Sequence, residues 1–583
     1  MAEKQTISTS QTADSVTFTV LINGEAIPSE IGVQSVSIWL ELNRIPKAKL
    51  MIIDGIASDN DFAISAQDFF VPGNEIEIQA GYHSDEEPIY KGIITKHSIR
   101  MRSEGGSHLI VDCSHSVVKA TQIKKSRYFY ESLEGDIWSS ILSDYGLEAD
   151  VTATEYTFNE LLQFQCTDWD FLVTRAEIYG FFVNVDKDEI KIGPPDFEQE
   201  VSEAVNFGST LLSFDAEIDS SHQLGSVIAR SWDYSKTEAT EIEAKSSNPK
   251  TPGNFNFSDL QSVFGNDPLI IDSVSKQPDE ILQKWADSTL LRHELAKVRG
   301  RAQFIGIPQV IPGKLIELQG LGDRFNGEAL VSGVRHNITG GKWLMDVQFG
   351  MARESFAERF EINAKPAYGL TPTVHGLQIG VVTQIEGDPE GDDRIQVILP
   401  MVESDGQGVW ARMSTFGAGG SRGIVVRPEI GDEVVVGCVN NDPNSPIILG
   451  ALNSSNLPSP IPPSDDNYEK GWVTKGEMKM IIDDDKQSLN VEMPSGKQLL
   501  ISDGDSVIEL KDENGNSITL NSDGITIESA KDIILKTSAG DINISGNNVN
   551  SESQIATKIT ANATAELSSS GSTTIKGGIV QIN

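Results

Sequence analysis

Between Lys497 and Ser545 the apolar residues come in dyads, two side chains one residue apart: Leu499/Ile501, Ile508/Leu510, Ile518/Leu520, Ile525/Ile527, Ile533/Leu535 and Ile542/Ile544. Gly, Asp, Asn and Ser fill the gaps, as in Ser502-Asp503-Gly504-Asp505 and Glu513-Asn514-Gly515-Asn516. Residues i and i+2 share a face of a strand. Each dyad therefore reads as a short strand with one apolar face, followed by a tight polar turn. The spacing leaves no room for a helix. A single-chain stack of such units is narrow, one-sided and open-edged. A solenoid or a prism wound from several chains is the remedy, so the pattern predicts a stiff multi-chain rod.

With 583 residues the chain should hold several domains, and its Thr, Ser, Ile and Val content with 51 glycines favours an all-β reading. A net charge of −39 repels phosphate polyanions, so nucleic acid is not an expected partner. Acidic side chains of this number keep a large β assembly in solution. Cys113, Cys166 and Cys438 lie too far apart in sequence for a disulfide framework or a zinc spacing, which suits a reducing cytoplasm. Met1 to Asp14 is polar and lacks the apolar core of a signal peptide. No stretch is long and apolar enough to span a bilayer.

An internal repeat occupies the first 360 or so residues. Val71-Pro72-Gly73-Asn74-Glu75-Ile76-Glu77-Ile78-Gln79 returns as Ile311-Pro312-Gly313-Lys314-Leu315-Ile316-Glu317-Leu318-Gln319, at an offset of 240. Farther on, Lys96-His97-Ser98-Ile99 matches Arg335-His336-Asn337-Ile338 at an offset of 239, which makes His97 and His336 equivalent strand-surface residues. Two copies of one small β barrel or sandwich are expected, near 15–125 and 205–355. Helical spacing lies between and beside them. Thr167-Asp168-Trp169-Asp170 resembles a capping box, with Asp where Glu or Gln is usual, and Gly180 can end the helix it opens. A second short helix is expected around Trp138, Ile141, Leu142 and Tyr145, and a third from Ile281 through Leu295, ending at Gly300.

A polar tail (1–14) thus precedes a region of two β copies (15–362, with its helical insert at 126–204) and a linker (363–375). Residues 376–452 read as five strands, Gly380–Glu386, Asp393–Leu399, Gly408–Arg412, Glu433–Val439 and Ile447–Leu449, enough for a small barrel. A Pro/Ser-rich spacer (453–467) leads to the repetitive needle (468–583).

Three segments carry a family likeness. Ile424-Val425-Val426-Arg427-Pro428-Glu429-Ile430-Gly431-Asp432-Glu433-Val434-Val435-Val436-Gly437 with Asn441-Asp442-Pro443-Asn444-Ser445-Pro446-Ile447-Ile448-Leu449-Gly450 closely resembles the OB-fold of VgrG spike proteins. Gly380-Val381-Val382-Thr383 to Asp393-Arg394-Ile395-Gln396-Val397 is similar to the start of that fold. Cys166-Thr167-Asp168-Trp169-Asp170-Phe171-Leu172 with Gly180-Phe181-Phe182-Val183 resembles the family's hub. Such spikes belong to type VI secretion and to related extracellular, phage-tail-like injection systems.

The resemblance implies a mainly β fold: a phage-hub-like pair of β-barrel domains with a few helices, an OB-fold neck and a trimeric intertwined β-helix or β-prism needle. It implies a homotrimer that adapts a sixfold tube to a threefold needle. Its partners would be a hexameric inner tube protein, baseplate proteins, a PAAR-type tip protein and effector cargo, with transient contact to a target membrane. The trimer core would be Leu499, Ile501, Ile508, Leu510, Ile518, Leu520, Ile525, Ile527, Ile533, Leu535, Ile542 and Ile544. The tip protein would dock on Ile579, Val580, Gln581, Ile582 and Asn583. Assembly would occur in the bacterial cytoplasm and action outside the cell. Only the spacer 453–467 lies between OB-fold and needle, so no lysozyme-like domain is expected there, and no fused toxin is expected after the needle.

Little in the chain points to chemistry. Gly419-Gly420-Ser421-Arg422-Gly423 satisfies G-x-S-x-G, but a nucleophile elbow needs a helix after the serine, and Ile424–Pro428 reads as a strand. Asp483-Asp484-Asp485 lacks calcium-loop spacing and reads as a solvated turn. Trp410 and Trp472 read as packing residues near the neck. No catalytic residue, metal ligand or cofactor is expected. A carbohydrate hydrolase and a trimeric receptor-binding fibre are the alternatives from other classes.

Overall fold

Proline and glycine set the frame of the N-terminal unit. In the computed structural model, which describes residues 15–104, 106–265 and 267–582, the Pro-Gly pairs at 72–73 and 312–313 both turn the chain with glycine at positive φ, +104° and +84°. The chain divides after Gly369 into two units. The polar tail and Asn583 lie outside the described residues.

Twelve strands of the first unit fall into two equivalent sets. The first is β1 (Val16–Ile22), β2 (Val33–Glu41), β3 (Lys47–Ile53), β4 (Glu75–Tyr82), β5 (Asp85–Arg102) and β6 (Gly106–Ser114). The second is β7 (Val201–Asn206), β8 (Ser213–Ile218), β9 (Val298–Ile305), β10 (Leu315–Gln319), β11 (Gly327–Thr339) and β12 (Lys342–Phe349). The neighbour order is β1-β4-β5-β6-β3-β2 in one and β7-β10-β11-β12-β9-β8 in the other. The sets differ at one end, where β1 pairs antiparallel with β4 but β7 pairs parallel with β10. They join where β11 pairs antiparallel with β2, from Gly333 opposite Glu41 to Thr339 opposite Ser35. One apolar core, including Val36, Ile38, Leu50, Val334, Ile338 and Val347, runs through both.

Hydrogen bonds fix the true register of the repeat. Gly73 N–H donates to Ile94 O (2.8 Å) and Ile94 N–H to Asn74 O (2.9 Å); Gly313 N–H donates to Val331 O (2.8 Å) and Val331 N–H to Lys314 O (2.9 Å). A bulge follows at once in both, at Thr95 and at Ser332. Ile94 thus corresponds to Val331, an offset of 331 − 94 = 237. The match of His97 with His336 is two residues out: His97 corresponds to Val334, and His336 to Ile99. A slip of two keeps every side chain on its own face, so sequence similarity tolerates it.

Neither histidine is a plain strand-surface residue. His97 is half-buried, with Nε2 against Ser65 Oγ (2.7 Å) and Nδ1 against Phe70 O (2.9 Å). His336 is fully buried, and its Nδ1 accepts from Trp343 Nε1 (3.2 Å). Burial, with a smaller contribution from the Lys187 charge, holds the His336 imidazole down at about 3. Its unfolded value is about 6.5, so between these pH values the unfolded chain binds the extra proton and stability rises with pH. Acidifying from pH 6.5 to 4.5 should cost about 2–3 kcal/mol through this group. The expected result is a melting temperature whose fall over that range is shallower in His336→Leu than in the parent; parallel slopes would assign the acid sensitivity elsewhere.

Helices flank the sheet. α1 (Glu134–Ser143) and α2 (Asp168–Ile178) lie in the segment between the two sets. Thr167 caps α2 by accepting the Asp170 N–H (3.1 Å), and Gly180 at φ +71° follows its end. α3 (Asp279–Leu295) stops five residues before the expected Gly300. Gly300 lies in β9, where a Cβ would stand 2.5 Å from Asp215 O and from the Phe349 ring. There glycine serves close packing and not a helix end.

In the second unit β13 (Gln378–Gln384), β14 (Ile395–Ile398), β15 (Val409–Met413), β16 (Glu433–Cys438) and β17 (Pro446–Ala451) close into a barrel in the order β13-β14-β15-β17-β16. Val382, Ile395, Val397, Val434, Val436 and Ile448 fill it. The segment 424–428, expected as a strand, has no ladder partner; Ile424, Val425 and Val426 are exposed and Pro428 ends the segment. A seven-stranded antiparallel meander follows: β18 (Glu469–Val473), β19 (Lys479–Asp483), β20 (Ser488–Glu492), β21 (Gln498–Ser502), β22 (Val507–Lys511), β23 (Ser517–Asn521) and β24 (Gly524–Glu528).

Candidate functional site

The meander aligns the dyads into two columns. Directly paired residues give Trp472, Met480, Val491, Leu499, Leu510, Ile518 and Ile527 in one, and Lys470, Ile482, Leu489, Ile501, Ile508, Leu520 and Ile525 in the other. Paired residues of an antiparallel ladder share a face, so both columns form one apolar stripe. The opposite face carries Asn490, Leu500, Glu509, Thr519 and Thr526.

The stripe is open. From Leu499 to Ile527 its members are between 37 and 71 % exposed. Val491, Leu499, Leu510, Ile518 and Ile527 line a trough of about 650 Å³. An apolar ladder of this length, left wet, forgoes about 1.5–3 kcal/mol for each large aliphatic side chain. Met480/Ile482 and Leu489/Val491 extend the stripe upstream of the first dyad recognised in the sequence. The same i, i+2 signal marks them, diluted by Asp483 to Asp485 between.

Not all expected core residues join its strands, although Ile533 borders the trough. Ile533, Leu535, Ile542 and Ile544 are exposed and lie beyond β24, in 529–582, which carries no strand or helix. Alternation reports which face a residue takes, not which chain supplies the neighbouring strand, so the pattern alone overstates the strands one chain can pair. Ile579, Val580, Gln581 and Ile582 are likewise exposed and outside regular structure; Asn583 lies outside the described residues. Trp472, expected as a packing residue, is exposed and heads the first column.

Possible reactive groups are otherwise engaged. Ser421 sits at φ +59° on the tip of a hairpin between Ala418–Gly419 and Arg422–Gly423, and no helix follows it. Asp483 is buried and not solvated; its carboxylate accepts the N–H groups of Asp485 (3.0 Å) and Lys486 (3.1 Å) and pairs with Lys486. Among the described residues no group of three His, Cys, Asp or Glu could hold a metal, and no helix is long and apolar enough to cross a membrane.

The densest polar cluster is in the hub, and sequence reading missed its role. Asp168, the first residue of α2 and wholly buried, accepts from Arg127 Nη2 (2.6 Å), Lys125 Nζ (2.7 Å), Tyr145 OH (2.7 Å) and Gln163 Nε2 (2.8 Å). Burial alone would raise its carboxyl; Lys125, Tyr145, Gln163 and Arg127 outweigh that and hold it below the usual range. Arg127 and Lys125 come from the strand Lys124–Leu133 and Gln163 from its partner Thr157–Thr167, so the cluster pins that ribbon to α2.

Duplicated hub, five-stranded barrel and apolar ladder together define a VgrG-type spike protein of the phage-baseplate class. The chain belongs to the Alg8 N-terminal domain family, which matches residues 12–340. Residues 378–452 match the type VI secretion system/phage-baseplate injector OB domain, and 488–554 the phage baseplate V C-terminal trimerisation domain. The type VI secretion system spike protein VgrG1a of Pseudomonas aeruginosa is 25% identical over 254 residues, 41% of this chain and 37% of that protein. VgrG1b of the same organism is 28% identical over 192 residues, 30% of this chain and 25% of that protein. The chain therefore matches only 25 to 37% of the length of these relatives. Among solved structures, the 43 kDa tail protein of prophage MuSo2 from Shewanella oneidensis has a TM-score of 0.44 at 12% identity, covering 58% of this chain and 99% of that one. An Escherichia coli type VI secretion component, described as similar to bacteriophage T4 gp27 and gp5, has a TM-score of 0.37 at 12% identity, covering 74% and 99%.

Proposed function

We propose that the chain is the structural spike of a contractile injection system, a trimer that adapts a sixfold inner tube to a threefold puncturing needle. The observation that carries this is the apolar stripe of β18–β24, which a single chain leaves exposed and which from Ser488 onward lies in the region, 488–554, that matches a trimerisation domain. Three stripes facing one axis bury each other and remove the open strand edges that invite aggregation. The duplicated hub supports the adaptor role: two equivalent strand sets per chain give three copies six similar units.

Baseplate and tube proteins would contact the hub, and a PAAR-type tip protein with its cargo would sit on Ile579 to Asn583. The particle would be assembled in the cytoplasm and the spike would act outside the cell. A type VI spike is the narrower reading, supported by the similarity to the type VI spike proteins VgrG1a and VgrG1b. Light scattering of the purified chain should give three times 63.4 kDa. A well-folded species of one chain mass would overturn the spike reading.

A further inference from the structure

One surface of the hub is positive on a strongly acidic chain. Eight hub strands run side by side in the order β8-β9-β12-β11-β2-β3-β6-β5. Side chains alternate between the two faces of such a run. On one face every second residue of β3 and β12 is buried in the core, Ala48, Leu50 and Ile52 in the first and Trp343, Met345 and Val347 in the second. The other face is open. Strand pairing places nine Lys and Arg there against five Asp and Glu, a positive surplus on a chain whose net charge is −39.

The cations there are poorly matched. Lys49 pairs with Asp112 (3.1 Å) and Arg299 with Glu217 (2.8 Å). Lys47, Lys96, Arg100 and Arg102 in the first strand set make no ion pair among the described residues, nor do Arg301, Arg335 and Lys342 in the second. All seven are exposed. The remaining carboxylates are mostly engaged: Asp346 accepts from Gln303 Nε2 (2.9 Å), and Glu41 lies 3.9 Å from Arg44. At the centre, where the two sets join, Arg335 faces Trp39 and Trp39 faces Lys47. The Arg335 guanidinium lies 5.4 Å from the centre of the indole ring, and Trp39 is 39 % exposed. Met51, Ile53, Ile305 and Leu344 set apolar surface among the charges.

We propose that this face binds an acidic segment of polypeptide that carries apolar side chains among its carboxylates, with Arg335, Trp39 and Lys47 at the centre of the contact. The proposal goes beyond the spike reading and does not rest on it, because the whole face belongs to one chain. Unpaired Lys and Arg meeting carboxylates form charge-assisted hydrogen bonds. The acidity of the whole chain does not forbid this. Exposed charges more than a Debye length apart, about 8 Å at physiological salt, are largely screened, whereas eight strands about 4.8 Å apart make the face roughly 35 Å across. A segment lying on it therefore feels the local cations and little of the acidic remainder. A nucleic acid duplex presents phosphate alone to the apolar surface and reaches past the face, where the acidic remainder repels it. Trp39 and Ile53 can instead take up the apolar side chains of a polypeptide.

The test is titration of the full chain with a labelled peptide of mixed Glu and Leu, read by fluorescence anisotropy at low and at physiological ionic strength. Binding should weaken as salt rises. Lys47→Glu with Arg335→Glu should weaken it by about tenfold or more and leave the melting temperature unchanged, since both side chains are exposed. The same change of charge made off the face, Lys365→Glu with Lys536→Glu, should leave the affinity within about twofold of the parent. Trp39→Ala should weaken the Glu/Leu peptide more than poly-glutamate. Equal loss from the two reversals, or loss from neither, would overturn the proposal. A DNA duplex that binds as tightly as the peptide would also overturn it and assign the face to polyanions at large. So would a rise in mass at low salt without peptide, abolished by the reversal on the face, which would assign it to the acidic surface of another copy. The peptide titration reads the same on one chain or three, so its failure and the failure of the spike reading are told apart by the mass measured beside it.

Discussion

An Ile508→Asp chain is expected to lose its trimer and the protease resistance of its C-terminal segment. Ile508 faces Ile501 on one side and Leu520 on the other, with Leu510 beside it on the same face. In a three-chain prism this position meets two copies of itself at the axis. Asp there would bring three carboxylates together in an apolar interior. Each buried, unpaired charge costs several kcal/mol, more than the roughly 1.5–3 kcal/mol that burial of each isoleucine contributes. Thr519→Asp, on the polar face opposite Glu509, should shift stability by less than about 1 kcal/mol. Light scattering and limited proteolysis compare the two; equal behaviour would remove the assignment of the stripe to the axis. The same contrast applies between Ile525, paired with Leu520, and Ile534, which lies beyond the last strand.

Asp168→Ala should be the most damaging single change in the hub. It strands Lys125, Arg127, Tyr145 and Gln163, which all point at the missing carboxylate. Removing one partner of a buried ion pair costs about 3–5 kcal/mol, which at about 1–2 °C per kcal/mol for a unit of this size lowers the hub melting temperature by roughly 5 °C. The pH dependence separates charge from shape. Asp168 is held below its ordinary value, so its contribution is present above the unfolded pKa of about 3.9 and is lost as pH falls through the folded one. Parent and variant should therefore differ fully at pH 7 and converge in acid; a constant gap at every pH would mean that lost packing, not lost charge, is responsible.

The sequence revealed elements whose signal is local. The five barrel strands lie within two residues of where alternation placed them, and the cap at Thr167 and the turn glycines 73 and 313 require nothing beyond their neighbours. What stayed hidden depends on partners far along the chain. Asp168 stands in the sequence only as a member of the Thr167–Asp170 cap; the fold alone brings Arg127 and Lys125 to it. The end of α3 was placed at Gly300 because glycine stops helices, whereas that glycine answers to Phe349 and Asp215 across the sheet. The repeat was visible, but its register was not: a two-residue slip is invisible to a pattern of period two. The dyads beyond Glu528 were read as strands because alternation does not say whether the pairing strand belongs to the same molecule.

The β18–β24 meander is built entirely from hairpins between consecutive strands. Contacts this local form early and fast, so each newly made copy displays a finished adhesive strip before it has met its companions. In the proposed trimer, three such strips would have to find one another ahead of any stray collision. The charge of −39 on every copy slows all encounters alike. What commits a collision to assembly is therefore lengthwise matching of rungs, a zipper that holds only when its teeth coincide.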